Sequence, residues 1–388
     1  MNNVHIVDAT MFWSPTGGGV RRYLLTKQAW LAGQPGWTHT IAVPTRASAR
    51  TGEARLPALP LPFSGGYRLP LRRRAIADRL VDLEPDLIEA GDPYVVAWAA
   101  VDAARRRRIP AAAYCHSNLE TMARLVAGKR FGNTAAHAAR AYARRVYGRF
   151  DRVFAPSESM RRHLVDWGIA HAVCQPLGVD SETFHPSRAS ARWREPLGIG
   201  PDTRVLVFAG RFAPEKHLDV LADAVELLGD RYLLLALGNG PTPPPRSARV
   251  RVLPFVADTD ELATALASAD AFVHAGDQET FGLSALEAMA CATPAVLRAH
   301  AGLAELCDGD GGAIGVGEGS ATAFAVAIAA LFAGDRAERA RAARARAEAS
   351  DWQRVFPSLL AHYQRLLGAR AAAAANDGAA GATTALQR

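Results

Sequence analysis

Residues 270–296 read DAFVHAGDQETFGLSALEAMACATPAV. Ala271–His274 is a short apolar run stopped by a glycine turn, the mark of a buried strand. Leu283–Ala292 places its apolar residues at helical spacing, and Pro294–Arg298 is apolar again. Strand, helix and strand in so short a span make a βαβ unit, whose two strands must lie parallel. Two glutamates, Glu279 and Glu287, stand in this apolar, small-residue stretch. Buried carboxylates need partners, so both ask for a ligand or a cation.

The same alternation extends on both sides. RVLVFAGRF (204–212), YLLLALGNG (232–240) and VRVLPFV (250–256) read as strands; HLDVLADAVELLG (217–229) and DELATALASA (260–269) read as helices. Upstream, VHIVDA (4–9), HTIAVP (39–44), PDLIEAGDP (85–93), PAAAYCHSN (110–118) and RVFAPSESMRRHLVDWGI (152–169) repeat the pattern, the last with a serine-capped helix. Between the two series, CQPLGVDSETFHPSR (174–188) is rich in turn residues and reads as a linker. The expectation is an α/β protein with two Rossmann-like, doubly wound parallel sheets facing across a cleft. Residues 1–180 form one domain, completed by an amphipathic helix near 352–368; residues 181–351 form the other. The low-complexity segment 369–388 is expected to be disordered.

With 388 residues and 49% hydrophobic content, the chain can build two cores. The four cysteines show no ligand spacing, which suits reduced thiols in the cytoplasm. No signal peptide or transmembrane run is expected. Charge is uneven: residues 1–185 carry 25 Lys and Arg against 15 Asp and Glu, and residues 186–388 carry 20 against 23. A basic first half predicts an anionic partner.

The chemistry-bearing residues cluster at expected strand ends. The helix starting at Gly282-Leu283 offers free N–H groups and a positive dipole end, which suit a phosphate. Glu279 precedes those donors and Glu287 lies a turn inside. Arg211 and Lys216 sit in the loop after another strand, where cations can clamp a diphosphate. Lysine is scarce, only Lys27, Lys129 and Lys216 in the whole chain, so its presence in this loop carries weight.

GRFAPEKHLDVL (210–221), LGNGP (237–241) and ETFGLSALEAMACATPAV (279–296), with seven residues between its two glutamates, resemble glycosyltransferases of family 4, which have the two-Rossmann GT-B architecture. The likeness spans nearly the whole chain and is most specific between Val205 and Val296. It implies retaining transfer of a hexose from a UDP- or GDP-sugar to a glycan or lipid-linked acceptor. Carried over, Arg211 and Lys216 would bind the donor diphosphate, Glu279 the donor sugar and Glu287 the ribose hydroxyls. The backbone of Phe281, Gly282 and Leu283 would hold sugar and phosphate, and Phe255 and Val256 would pack on the base. The loop at Gly17, Gly18 and Gly19 would approach the donor phosphate, and His116 would lie near the reacting sugar. Breaking the anomeric bond leaves charge on the diphosphate, which Arg211, Lys216 and the helix dipole would stabilise. No metal or other cofactor is then required. The strings at Asp258 and Asp308 resemble a metal-binding Asp-x-Asp, but that motif belongs to a single-domain architecture this chain does not resemble, and DGDGG (308–312) reads better as a turn.

The segment YRLPLRRRAIADRL places Arg68, Arg72, Arg73, Arg74 and Arg79 among leucines, and RRRR covers 105–108. Basic amphipathic segments attract anionic lipid, so a peripheral association with the inner face of the plasma membrane is expected. A dehydrogenase is disfavoured because GGGVRRYL lacks the dinucleotide fingerprint. Nucleic acid is disfavoured by 7% aromatic content and the lack of a reading motif. A sugar-nucleotide epimerase of similar architecture and a non-catalytic nucleotide-sugar binder remain alternatives.

Overall fold

A computed structural model describes residues 3–14, 18–45, 51–61, 66–309 and 311–385. The chain divides into two compact units, Met1–Gln175 with Phe356–Arg388, and Pro176–Val355. The first contains β1 (Val4–Ala9), α1 (Gly19–Ala32), β2 (Trp37–Val43), β3 (Glu53–Arg55), β4 (Leu59–Pro60), β5 (Arg68–Leu69), α2 (Arg73–Asp82), β6 (Leu87–Ala90), α3 (Val95–Arg107), β7 (Ala111–Tyr114), α4 (Leu119–Tyr147), β8 (Arg152–Ala155), α5 (Glu158–Asp166) and β9 (Ala172–Cys174). Its main sheet runs β3-β2-β1-β6-β7-β8-β9, with every neighbouring pair parallel. β4 and β5 form a separate antiparallel pair. The expected cap is present: Ser157 Oγ accepts from the Met160 N–H at 3.1 Å.

The second unit contains β10 (Arg204–Ala209), α6 (Leu218–Leu228), β11 (Tyr232–Leu237), β12 (Val250–Leu253), α7 (Thr259–Ser268), β13 (Ala271–His274), α8 (Leu283–Ala290), β14 (Ala295–Arg298), α9 (Ala301–Cys307), β15 (Ala313–Val316), α10 (Ala321–Ala333) and α11 (Arg336–Ala349). Its sheet order is β12-β11-β10-β13-β14-β15, again parallel throughout. Strand order reverses between β1 and β6 in one sheet and between β10 and β13 in the other. Ligands in such sheets bind at these switch points, outside the strands' carboxyl ends. Central strands are buried on both faces, which explains their near-continuous apolar sequences.

The last helix, α12 (Trp352–Ala385), starts in the second unit and continues in the first. Phe356 packs its ring 5.4 Å from Trp30 and 6.3 Å from Tyr23. Deeper in, Lys27 Nζ donates to Asp8 at 2.8 Å, to Glu89 at 3.1 Å and to Tyr363 Oη at 2.5 Å. Tyr363 in turn donates to Glu89. Asp8 and Glu89 are directly paired on β1 and β6, so the sheet itself places both carboxylates under the helices. Burial pushes the Asp8 carboxyl up, but Lys27 and His39 outweigh it and hold it at about 2. Burial dominates at Glu89 and raises its pKa.

Segment 369–388, expected to lack structure, instead continues α12 as far as Ala385. Its composition reads as low complexity, yet half of its residues are alanine, the residue with the highest helix propensity. The linker is held by specific backbone and side-chain bonds. Val179 accepts from the Trp352 N–H at 3.1 Å and donates to Ser350 O at 3.0 Å. A side chain at Gly178 would stand 2.7 Å from the Trp352 ring, so only glycine lets the two segments meet. Arg344 then clasps the carbonyls of Ser181 and Phe184 at 3.0 and 2.8 Å.

Candidate active site

The second unit's switch point is built from three glycine-bearing loops. After β10, residues 210–217 carry Arg211 and a short 3-10 turn, Pro214–Lys216. LGNGP, after β11, packs directly on that loop. A Cβ on Gly238 would stand 1.9 Å from Gly210 O, and one on Gly240 would stand 2.1 Å from Phe212 O. Phe212 N–H donates to Asn239 O at 2.7 Å, locking the two loops together. The third loop follows β13. Its Gly276 lies under Glu215, where a Cβ would be 2.9 Å from the carbonyl oxygen. These close approaches bring residues 216 and 279 together from separate βα turns.

Lys216 Nζ forms an ion pair with Glu279 Oε1, and both side chains are mostly shielded from solvent. His274 Nε2 lies 3.0 Å from the same oxygen. Burial pushes the Glu279 carboxyl up, but Lys216 and His274 outweigh it and hold it well below the usual carboxylate range. Burial lowers the His274 pKa against the pull of Glu279, keeping the imidazole neutral. Arg211 does not join this cluster. It is 66% exposed at its side chain and pairs with Glu215 at 2.9 Å.

Glu279 O accepts from the Gly302 N–H at 2.8 Å, which anchors the loop to α9. A Cβ on Gly302 would come within 2.5 Å of the Thr280–Phe281 peptide. Gly282 caps α8 at φ +102°, a left-handed conformation, with Leu303 packed where a side chain would go. Phe281 and Gly282 are buried and Leu283 is half-buried, and Glu279 lies in the loop that leads into α8. Glu287 is 2% exposed, one turn further into the helix. Phe255 and Val256 lie just past the end of β12 rather than within it, both half-buried.

In the first unit, Gly18 caps α1 and Gly19 is its first residue; Gly17 lies outside the described residues. A Cβ on Gly18 would meet nothing within 4 Å, so the position leaves room for close backbone approach. His116 follows β7. Its ring stacks on Tyr114 at 4.5 Å and lies 5.4 Å from Tyr23. Burial lowers its pKa to about 3, so it stays neutral. Nearby at this unit's switch point, Asp92 accepts from the N–H groups of Met11 at 2.7 Å and Tyr94 at 2.9 Å.

Sequence reasoning did not single out His274, Lys27, Glu89 or Tyr363. A histidine at a strand end and a tyrosine in a terminal helix carry no local signal of their role. Asp258 of the first Asp-x-Asp string caps α7: its Oδ1 accepts from the Asp260 and Glu261 N–H groups at 2.8 and 3.0 Å. Asp310 of the second string lies outside the described residues.

The model of the family described as Glycosyltransferase Family 4 matches residues 17–183, and that of Glycosyl transferases group 1 matches residues 203–334. A GDP-mannose-dependent alpha-(1-6)-phosphatidylinositol dimannoside mannosyltransferase of Mycobacterium tuberculosis is 32% identical over 375 residues, covering 92% of this chain and 95% of that protein. A GDP-mannose-dependent alpha-mannosyltransferase of Mycolicibacterium smegmatis is 31% identical over 83% of this chain and 84% of its own length. Among solved structures, sucrose-phosphate synthase from Thermosynechococcus elongatus matches the fold with a TM-score of 0.77, at 20% identity over 95% of this chain and 100% of that one. Two parallel Rossmann-like sheets, the Glu279–Glu287 helix start and these matches along nearly the full length agree: the chain belongs to glycosyltransferase family 4 and is a nucleotide-sugar-dependent hexosyltransferase with the GT-B fold.

Proposed function

We propose that the chain transfers mannose from GDP-mannose, with retention at the anomeric carbon and without a metal, to a sugar-bearing lipid at an anionic membrane surface. The observation that carries this reading is the shielded Lys216–Glu279 pair in the loops before α6 and α8, in a chain 32% identical to a GDP-mannose-dependent mannosyltransferase over 92% of its length.

The reaction separates charge: positive on the sugar, negative on the departing diphosphate. Lys216 has three donors, so it can keep its bond to Glu279 and still meet a phosphate oxygen. Arg211 is free to swing from solvent onto the diphosphate and form a bidentate pair. The α8 N-terminus supplies backbone donors and a partial positive charge. Glu279 positions the sugar, and Glu287 accepts from ribose hydroxyls. In the first unit, Gly18 and Gly19 leave the α1 N-terminus room for a phosphate, and neutral His116 can hydrogen-bond a sugar hydroxyl. Phe255 and Val256 pack on the base. The acceptor attacks from the face the diphosphate leaves, and a diphosphate oxygen takes its proton.

The acceptor side rests on charge placement. Arg105–Arg107 lie in the last turn of α3, where cations suit the helix dipole. Arg72–Arg74 lie at the start of α2, where they oppose it. A local rule broken this way points to a role outside the fold. Arg72, Arg74 and Arg79 are exposed, as are Leu71 at 57% and Leu59 at 59%. Arg68 and Arg73 are engaged within the fold, Arg68 with Ala58 O at 2.8 Å and Arg73 with Asp102 at 2.5 Å. Among the described residues no helix is long and apolar enough to cross a membrane, and we place the site of action at the inner membrane face.

The test uses the full chain with GDP-mannose or UDP-glucose and vesicles containing mannosylated phosphatidylinositol. The expected product is α-linked, forms only from GDP-mannose and is unchanged by EDTA. Turnover of UDP-glucose alone, a β-linked product or loss with EDTA would overturn the donor, the stereochemistry or the metal independence, respectively.

A further inference from the structure

We propose that His274 is the positioning residue for Glu279: a neutral imidazole that holds one carboxylate oxygen so that the other faces the donor sugar. The inference rests on the reading that Glu279 contacts that sugar.

His274 ends β13 with its ring buried, 5.3 Å from Phe208 and 6.4 Å from Phe272. The Gly276 N–H donates to Nδ1 at 3.0 Å. Nδ1 is therefore the acceptor nitrogen and Nε2 carries the proton, which it donates to Glu279 Oε1 at 3.0 Å. The ring's tautomer is set by a backbone group two residues on. That turn requires glycine, because a Cβ at 276 would stand 2.5 Å from His274 Cε1 and 2.9 Å from Glu215 O.

Lys216 and His274 converge on the same oxygen. Oε2 of Glu279 has no hydrogen-bond partner among the described residues. A lone ammonium attracts both oxygens of a carboxylate and fixes neither. A second, directional donor at Oε1 removes that freedom and leaves the Oε2 lone pairs for a sugar hydroxyl. The phenylalanine walls keep the imidazole from turning away, and its neutrality leaves the net charge of the pair at zero before the diphosphate arrives. His274 thus acts through Glu279 and touches no substrate itself.

Three substitutions separate the two hydrogen bonds. His274→Gln can still donate to Glu279 from its amide nitrogen. His274→Asn can replace the acceptor for Gly276 but is too short to reach Glu279. His274→Leu does neither. The readouts are kcat and KM for GDP-mannose, with the thermal shift on adding GDP alone as a check on folding and nucleotide binding. Glu279→Gln is expected to lose about 100-fold in kcat. His274→Asn and His274→Leu are expected to lose about 10- to 100-fold in kcat with an unchanged shift by GDP, and His274→Gln to stay within about threefold of wild type. The double variant His274→Leu, Glu279→Gln is expected to match Glu279→Gln alone. Equal activity in the Asn and Gln variants, or multiplying losses in the double variant, would overturn the inference. Failure of the underlying reading shows instead in wild type without turnover or in a fully active Glu279→Gln.

Discussion

Tyr363 donates a hydrogen bond to Glu89 at 2.6 Å, joining the C-terminal helix to the central strands of the first unit. The two residues are 274 positions apart in sequence. Lys27 meets both, so one buried lysine organises β1, β6, α1 and α12. Removing the hydroxyl leaves a buried carboxylate and ammonium each short of a partner. Tyr363→Phe is therefore expected to destabilise the first unit by about 1–3 kcal/mol. Urea unfolding followed by the fluorescence of a tryptophan reporter in that unit would measure it, and an unchanged midpoint would contradict the role given to the network.

Gly238 and Gly240 are required by space. Alanine at 238 must displace the Gly210 carbonyl, and with it the loop that carries Arg211 and Lys216. Gly238→Ala is expected to cost at least about 2 kcal/mol and to weaken GDP binding more than a comparable change at Gly229, whose Cβ would meet nothing within 4 Å. Calorimetric titration of GDP into both variants makes the comparison.

Lys216 is expected to matter more than Arg211. Its ammonium is already fixed on Glu279, whereas Arg211 must be recruited from solvent. Lys216→Ala should lower kcat by about 100- to 1,000-fold. The pH profile carries a second signature. In wild type the Glu279 carboxyl is held well below its ordinary range, so it is ionised both at neutral pH and near pH 5. Without Lys216, the burial that raises its pKa is opposed by His274 alone. The variant's residual activity should then fall as pH drops towards 5, while that of wild type stays flat. A wild-type acid limb at the same pH would argue against this electrostatic account.

Asp92 offers a pH test of the fold itself. Burial raises its pKa to about 6 against the opposing bonds from Met11 and Tyr94. A carboxylate with a raised native pKa holds its proton more tightly folded than unfolded. Its contribution is therefore most favourable below pH 4 and is lost as pH rises through 6. Relative to Asp92→Asn, whose cost does not depend on pH, wild type is expected to lose about 3 kcal/mol between pH 4 and 7. A difference between the two that is flat with pH would show that Asp92 titrates normally.

At the membrane, Arg72, Arg74 and Arg79 should each add about 1 kcal/mol of attraction to anionic vesicles. Replacing all three with alanine should abolish co-sedimentation with phosphatidylglycerol vesicles and leave turnover of a soluble acceptor intact. Equal recovery on neutral and anionic vesicles would remove the membrane from the proposal.

The sequence by itself determined both sheets, because strand and helix periods are local: the six residues of β10 or the four of β13 suffice to show burial on both faces. It also pointed to Arg211, Lys216, Glu279 and Glu287, since scarce lysine and acid in an apolar run stand out without a structure. Only the tertiary structure decided which of these residues meet. Lys216 and Glu279 lie 63 positions apart and join because Gly238, Gly240 and Gly276 let separate βα turns touch. His274, Lys27 and Tyr363 have unremarkable neighbours in sequence, and their roles come from partners on other strands and helices. Periodicity reports which face of an element is buried; what lies against that face is set by long-range packing, which no local pattern encodes.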